Sequence, residues 1–523
     1  MALTKSLNQK KLNATYIGKT GDDNDLRSGK FNIVFSSPET VLTTHRQMLL
    51  SNPYQKSIKA VFVDESHCIE KWGHTVGGES VPFREHYARI GELRSILPMS
   101  VPMIALTATA SKKTRATIIN DLHMKVPVLV DLGVNKPNIR YTVIKTKQGF
   151  RDVDALFSIF VPIIEELKIK KIEASRTIVF CRRRSHCRDL YEMFMTALGV
   201  EAYDATCKHV DDRGRFVAMF QQATDVDVKE SVMSSFADPN GVIRVLFSTI
   251  AFGMGMDVKG LQTVIHLGPP ADLDDYLQET GRAGRDSLKQ SFAILLKYSH
   301  STRRTSESMK EYISGNKCRR KTLMSFFECE PCSVVKHLCC DVCAAVCTCE
   351  CACNGACNCD TKCTYNDNQL EISIKKIIHQ LDARHSACFH KKVNCVSIEK
   401  TSQIRNDLYR YRNELAGGLT DDKLFTNVNI STQYSNQLID HIIKDLPYIP
   451  NRSVFMQHFL FYSSEHAECS WDIIKSVISD SQILANDQLN SDNISSSESS
   501  TQSSESDSDN HAKHPLLNSS DDD

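Results

Sequence analysis

The sequence predicts an α/β protein in which strands form parallel sheets covered on both faces by helices. Three observations support this prediction. Short runs of β-forming residues, such as 61–63 and 176–181, end in polar or charged side chains. Helical patterns lie between these runs, as the connections of parallel strands require. A Cys-rich segment and further helical patterns then follow from about residue 318.

Length and charge suggest several domains and a partner with a phosphate backbone. At 523 residues the chain is expected to hold roughly two to four domains. The 63 basic and 63 acidic residues balance, but residues 485–523 contain nine acidic residues and one Lys. The rest of the chain is therefore mildly basic, which permits a nucleic-acid partner without requiring one. The acidic, Ser-rich tail is predicted to be disordered.

The first strand with a clear pattern is 31–35, since residues 1–30 show no apolar pattern long enough to begin a sheet. The next apolar run, 61–63, ends at Asp64 and Glu65. Paired carboxylates at a strand end suit Mg²⁺, with one acid holding the metal and its neighbour orienting water against a phosphate. Adjacent acids are more often solvated loop charges, so the flanking motifs decide between the two interpretations.

A further run, 103–106, precedes Thr107 and Thr109 and is expected to end beside the acid pair. In the second half, Arg282 and Arg285 lie three residues apart and therefore face the same way on a helical turn. Glycines beside them leave room for both guanidinium groups to reach a phosphate. The alternative is a surface helix with two solvated cations.

The cysteines indicate bound metal. Of the 20 in the chain, 13 lie between residues 318 and 363, and neither a signal peptide nor a long apolar run is present. This pattern favours a reducing compartment, no membrane and a structural Zn²⁺ site, because four thiolates can enclose the ion tetrahedrally. The Cys-x-Cys repeats of 347–363 could hold a second zinc or scavenge metal.

Three motifs occur in a characteristic order: Asp-Glu-Ser-His at 64–67, Ala-Leu-Thr-Ala-Thr-Ala at 105–110 and Gln-Glu-Thr-Gly-Arg-Ala-Gly-Arg-Asp at 278–286. Together they resemble the RecQ branch of superfamily 2 helicases, over about residues 30–345. The segment 68–74 resembles the family's aromatic-rich extension, and 75–82 is an insertion that the family pattern lacks.

The resemblance implies two RecA-like helicase lobes, the first incomplete, then a zinc-binding subdomain and a small helical region. The implied domains are 1–135 for lobe 1, 136–300 for lobe 2, 301–365 for the zinc subdomain, 366–484 for the helix-rich region and 485–523 for the tail. The implied activity is that of an ATP-dependent 3′–5′ DNA helicase of DNA repair and recombination in the nucleus. Its cofactors would be ATP, Mg²⁺ and Zn²⁺, and its partners single-stranded DNA, duplex junctions and proteins that bind the acidic tail.

The same resemblance assigns roles to individual residues. The catalytic residues would be Asp64, Glu65, His67, Gln278, Arg282 and Arg285. Thr107 and Thr109 would couple the nucleotide to lobe closure. The DNA-binding residues would be Ser37, Pro38, Trp72, His74, Phe83, Arg84 and Tyr87. The zinc ligands would be Cys318, Cys332, Cys340 and Cys343, with Cys329 and Cys339 as competing candidates.

An ATPase of this class also needs a glycine-rich phosphate loop with a Lys. The only candidate, Gly-Lys-Thr at 18–20, has Asn13 where a phosphate loop requires glycine. We therefore expect the printed chain to begin inside lobe 1 and to hydrolyse ATP very slowly or not at all. The alternatives are an ATPase-dead nucleic-acid-binding protein and a zinc-dependent interaction protein derived from a helicase.

Overall fold

The computed structural model describes residues 2–17, 23–75, 81–147, 153–204, 214–249, 258–285, 289–331, 334, 336–346, 369–386, 396–418, 428–459, 461 and 463–478. The Gly-Lys-Thr candidate at 18–20, Cys332, the cysteine tract 347–363 and the tail 485–523 lie outside these ranges. The chain divides into two compact units: Met1–Ala387 with Ala416–Ser435, and Cys388–Leu415 with Asn436–Asp523.

The described strands and helices follow in chain order. The strands are β1 (Ala14–Tyr16), β2 (Ile33–Phe35), β3 (Val61–Val63), β4 (Met103–Ala105), β5 (Ile139–Lys145), β6 (Arg176–Cys181), β7 (Val217–Phe220), β8 (Val245–Ser248), β9 (Leu261–Leu267) and β10 (Ser291–Lys297). The helices are α1 (Ala2–Gln9), α2 (Asp23–Arg27), α3 (Pro38–Leu42), α4 (Arg46–Leu50), α5 (Asn52–Ser57), α6 (Cys68–Gly73), α7 (Leu93–Ile96), α8 (Lys112–Asp121), α9 (Val153–Lys170), α10 (Arg184–Leu198), α11 (Val226–Ala237), α12 (Leu273–Thr280), α13 (Glu307–Ser314), α14 (Arg319–Phe326), α15 (Lys336–Cys339), α16 (Asp341–Ala345), α17 (Gln369–Ser386), α18 (Ile398–Gly417), α19 (Val428–Ser431), α20 (Asn436–Asp445), α21 (Arg452–His458) and α22 (Ser464–Val477).

The described residues up to 135, which we call lobe 1, contain two small parallel sheets. One pairs β1 with β2, and the other pairs β3 with β4. The expectation that no strand precedes 31–35 was wrong, because β1 is a strand. With only three residues it is too short to show a periodic apolar pattern. Phe62, in β3, is 63% exposed, although parallel strands are usually buried on both faces.

Lobe 2, residues 136–300, is built on a six-stranded sheet in the order β5-β10-β9-β6-β8-β7, and every neighbouring pair is parallel. This confirms the predicted α/β class. Aromatic side chains of α9, α10 and β8 pack together over the sheet, with Phe160, Phe194 and Phe247 in mutual ring contact. The predicted run 176–181 coincides with β6.

Helix α17 packs against lobe 2 through a buried ion pair. The carboxylate of Glu371 accepts hydrogen bonds from Arg140 Nε and Nη2, both at 3.1 Å, and from Thr142 Oγ1 at 2.8 Å. Lys375 lies 2.6 Å away on the same helix. Burial alone raises the pKa of Glu371, but these cations lower it overall. The predicted helix-rich region 366–484 therefore contributes α17 to the first unit.

The second unit contains α20, α21, α22 and most of α18. Its core includes Phe455 and Trp471, whose ring centroids lie 5.1 Å apart. All described elements beyond β10 are helices. Among the described helices, none combines the length and apolar composition needed to cross a bilayer.

Candidate functional site

The acid pair and the threonine motif meet because their strands are neighbours in one parallel sheet. Val63, at the end of β3, pairs with Ala105, at the end of β4, so the residues that follow both strands leave the same sheet edge. Glu65 adopts a left-handed backbone conformation, with φ of 47°, and its N–H donates to Asp64 Oδ1 at 2.9 Å. This conformation is unfavourable for a residue with a Cβ, and such strain is typical of functional sites.

His67 connects this edge to lobe 2. Burial and the charge of Lys71 lower the pKa of His67 to about 4, so the ring is neutral at pH 7. Gln278 Nε2 lies 3.1 Å from His67 Nε2, and an amide nitrogen can only donate, so Nε2 accepts and the ring proton is on Nδ1. Nδ1 lies 3.2 Å from Thr107 Oγ1, which donates to Thr109 O at 2.7 Å. These contacts link Gln278 of lobe 2 to the threonine motif of lobe 1.

A cavity of about 430 Å³ lies between the two lobes. Its lining includes Glu65 and Thr109 from lobe 1 and Gln278, Arg282 and Arg285 from lobe 2. Burial and the neighbouring Asp64 raise the pKa of Glu65, which suits a general base. The buried Thr109 hydroxyl has no hydrogen-bond partner within the described part of the chain. An acid, a free hydroxyl and two arginines around one cavity fit the phosphates and Mg²⁺ of a nucleotide.

Lys136 also lines this cavity, although the sequence predicted no catalytic or binding role for it. Its Nζ donates to the carbonyl oxygens of Gly281 and Ala283, which flank Arg282. Burial, with repulsion from Arg285 and Arg282, lowers the pKa of Lys136 to about 8. A lone Lys in a loop gives no signal in a sequence, because its neighbours in space follow it by some 145 residues.

A second set of contacts joins the lobes outside the cavity. Lys71, in α6, donates to Asp275 Oδ1 at 2.5 Å and to Asp272 Oδ1 at 3.1 Å. Asp272 also caps α12, because its side chain accepts a hydrogen bond from Asp275 N. Since α12 carries Gln278, Lys71 helps to hold this glutamine against lobe 1.

The predicted aromatic residues form a cluster next to α6. Trp72 makes edge contacts with Phe83 and Tyr87 at centroid distances of 5.6 and 5.3 Å. Phe83 is 73% exposed. Arg84 lies over the Tyr87 ring at 4.7 Å, and it donates to both oxygens of Glu39, at 2.7 and 2.6 Å. These hydrogen bonds lower the pKa of Glu39 to about 2.

Two further predicted DNA contacts are engaged within the protein, and α3 lies beside the cluster. Ser37 is the N-cap of α3, and its Oγ accepts from Thr40 N at 3.3 Å. Pro38 is the first residue of that helix. His74 Nε2 lies 2.6 Å from Asp121 Oδ2. Because Glu39 of α3 binds Arg84, the structure brings the Ser37–Pro38 turn close to the aromatic cluster.

The cysteine cluster consists of Cys318, Cys339, Cys340 and Cys343, whose sulfur atoms all lie within 4.8 Å of one another. Three of these residues were predicted ligands. Cys339, one of the two competing candidates, completes the described set, whereas Cys329 is not part of it. Cys339 ends α15 and Cys340 is the N-cap of α16, so one sharp turn presents both thiols to Cys318.

The spacing of the thiols suits a tetrahedral metal. Cys318 Sγ lies 3.6 Å from Cys339 Sγ and 3.9 Å from Cys340 Sγ. Zn–S bonds of about 2.3 Å at tetrahedral angles place sulfurs roughly 3.8 Å apart, whereas a disulfide would bring them to about 2.05 Å. The four residues could therefore hold Zn²⁺ as a closed structural site.

The helicase conserved C-terminal domain model matches residues 159–287. The chain is 29% identical over 336 residues to the ATP-dependent DNA helicase RecQ of Pasteurella multocida, which covers 60% of this chain and 46% of that protein. It is 28% identical over 331 residues to the bifunctional 3′-5′ exonuclease/ATP-dependent helicase WRN of Mus musculus, covering 58% of this chain and 21% of WRN. It is 29% identical over 341 residues to the ATP-dependent helicase SGS1 of Saccharomyces cerevisiae, and the match covers 60% of this chain and 21% of SGS1. The matched region is thus less than half of each of these relatives.

Proposed function

Because the chain belongs to the RecQ family of superfamily 2 helicases, we propose that it acts as an ATP-dependent DNA helicase that moves 3′ to 5′ and unwinds DNA in repair and recombination. The observation that carries this proposal is the cavity in which Glu65 of lobe 1 faces Gln278, Arg282 and Arg285 of lobe 2. Hydrolysis at such a site can open and close the lobes, because each lobe supplies part of it. We also propose the nucleus as its compartment, on the similarity to the two eukaryotic relatives above.

Each residue at the cavity then has a chemical role. Asp64, the neighbour of Glu65, would hold Mg²⁺, and Glu65, whose pKa is raised, accepts a proton from the attacking water. Bound Mg²⁺ would neutralise charge on the phosphates. Arg282 and Arg285 stabilise the charge of the transferring phosphoryl group. Gln278 contacts both Glu65 and His67, so it can report the nucleotide state to Thr107 through the neutral histidine.

Lys136 should make nucleotide binding depend on pH. As pH rises through about 8, Lys136 loses its charge, so ATP affinity should fall by roughly five-fold between pH 7 and 9, the effect of losing about 1 kcal/mol of attraction. ATP affinity falls with rising pH, and does not increase, because only protonated Lys136 attracts the phosphates. Calorimetric titration with ATP of the chain joined to a phosphate-loop segment would measure the effect, and Lys136→Met should remove it. The same pH dependence in the variant would exclude Lys136 as its source.

DNA binding should depend on the exposed aromatic ring of the cluster. Removing a ring that stacks on a base costs about 1–3 kcal/mol, so Phe83→Ala should weaken single-stranded DNA binding roughly 5- to 150-fold. Phe62→Ala is the matched control, since Phe62 is 63% exposed and Phe83 73%, both in lobe 1. Fluorescence anisotropy with a labelled oligonucleotide gives both affinities. Equal losses in the two variants would contradict the assignment of Phe83.

The alternatives are an ATPase-dead DNA-binding protein and a zinc-dependent interaction protein, and one measurement separates all three. Anisotropy on a 3′-tailed duplex, with and without ATP, should give ATP-dependent DNA affinity for the helicase when the chain is joined to a phosphate-loop segment. The ATPase-dead protein would give affinity that ATP does not change, and the interaction protein would give no binding.

A further inference from the structure

Arg320 is buried between the cysteine cluster and the cavity. It lies two residues after Cys318, in α14, and is 1% exposed. Its guanidinium donates to Asn135 Oδ1 and to Lys136 O, both at 2.7 Å. It also donates to Pro137 O at 3.4 Å and to Ile139 O. One side chain therefore binds four acceptors of residues 135–139, which we call the linker segment.

The linker segment in turn binds the loop that carries the two arginines, residues 281–285, which we call the arginine turn. Lys136 Nζ donates to Gly281 O and Ala283 O, and Asn138 Nδ2 donates to Gly284 O at 3.1 Å. Gly284 has φ of 65°, and a Cβ there would lie 3.0 Å from Asn138 Nδ2. The two segments are thus in close contact, and the arginine turn has little freedom to move while the linker segment is held.

We propose that Arg320 is a positioning residue that connects the cysteine cluster, through the linker segment, to the arginine turn and so orients Arg282 and Arg285 toward the cavity. The orienting role rests on the proposed function, whereas the chain of contacts does not. A guanidinium suits this task because its five N–H donors lie in one rigid plane and can hold four acceptors in a fixed geometry, whereas a lysine ammonium has only three donors on a flexible stem. A metal held by the cysteine cluster would then contribute to the geometry of the nucleotide site as well as to stability.

Arg319 provides a comparison within the same helix. It also adjoins Cys318 and is 4% exposed. Its partners are Asp341, at 3.1 Å, and the carbonyl oxygens of Tyr312 and Gly315. None of these described partners belongs to the linker segment. The two arginines therefore share burial and proximity to Cys318, and they differ in whether they contact residues 135–139.

Hydrogen exchange of the full chain, read by mass spectrometry, tests the connection. The amides of Gly281 and Ala283 are hydrogen-bonded, to Leu277 O at 2.8 Å and Thr280 O at 3.1 Å, so their protection can be measured. Arg320→Gln should speed exchange in the arginine turn about ten-fold, with unchanged zinc content and unchanged exchange in β6 and β8. Arg319→Gln should leave exchange in the turn as in the wild type. Equal acceleration in both variants, or none in Arg320→Gln, would overturn the proposal.

If Arg320→Gln fails to fold, Lys136→Met tests the second step of the connection, because it removes the hydrogen bonds from the linker segment to Gly281 and Ala283 and leaves Arg320 in place. It should produce the same local acceleration, and unchanged exchange in the turn would count against the proposal. In a version of the chain that hydrolyses ATP, Arg320→Gln should lower kcat with little change in KM, as expected for groups that act in the transition state. If Arg320→Gln speeds exchange in the arginine turn but keeps the kcat of the wild type, the orienting role is refuted. A loosened turn, together with no ATPase activity even after the chain is joined to a phosphate-loop segment, would refute the proposed function and leave the connection intact.

Discussion

Joined to the phosphate-loop segment of a close relative, the chain should gain DNA-dependent ATPase activity, and Arg285→Ala should reduce kcat about 10³-fold. Glu65→Gln should reduce it by roughly 10²- to 10⁴-fold, because it removes the general base. Both residues line the cavity between the lobes, and Glu65 is the one carboxylate among the described residues that line it. Steady-state turnover with and without single-stranded DNA measures the effect.

The fusion needs a control for charge and folding. Glu307→Gln alters a glutamate of α13 that is 88% exposed and pairs with Lys310, so it should leave turnover unchanged. Circular dichroism should show the same fold for all variants. An active fusion that keeps full turnover with Gln at 65 or Ala at 285 would show that the role given to that residue is wrong. DNA-stimulated turnover by the unfused chain would overturn the expectation that it hydrolyses ATP very slowly.

Loss of any one thiol of the cysteine cluster should remove the metal. Ser at Cys318, Cys339, Cys340 or Cys343 should reduce zinc from about one ion per chain to near zero, since a structural site needs all four ligands. Metal binding supplies folding free energy, on the order of 10 kcal/mol in small zinc domains, so the segment around α14–α16 should become sensitive to protease. Metal analysis and limited proteolysis measure both effects.

Cys329→Ser is the matched control for this experiment, because Cys329 packs nearby but lies outside the cluster. It should keep both zinc and protease resistance. Cys332→Ser distinguishes the set predicted from the sequence from the set that the structure brings together. If Cys332→Ser loses zinc while Cys339→Ser retains it, the sequence-based set is the correct one.

The sequence predicted those strands and site residues that depend on consecutive residues in the chain. The predicted run 176–181 is β6, and the predicted run 61–63 is β3. Both could be predicted because consecutive β-forming residues favour a strand. The acid pair at the end of β3 could be recognised for the same reason. Strand β1 could not, since its Ala-Thr-Tyr sequence lacks the consecutive apolar β-forming residues of Val-Phe-Val in β3. The spacing of the cysteines in the sequence also does not decide between Cys332 and Cys339 as the fourth ligand, because either of them can complete a set of four thiolates.

The chain order of motifs by itself therefore determined the α/β class, the acid pair, the two arginines and the region of the metal site. Only the tertiary structure decided which residues surround them. Gln278 contacts His67, which lies 211 positions away in the sequence, and Arg320 contacts Lys136, which lies 184 positions away. Such contacts depend on the pairing of strands and the packing of helices, which are set by the whole core. A buried Lys or Arg that binds backbone carbonyls makes this especially clear, because carbonyl groups are the same at every residue and leave no pattern in the sequence.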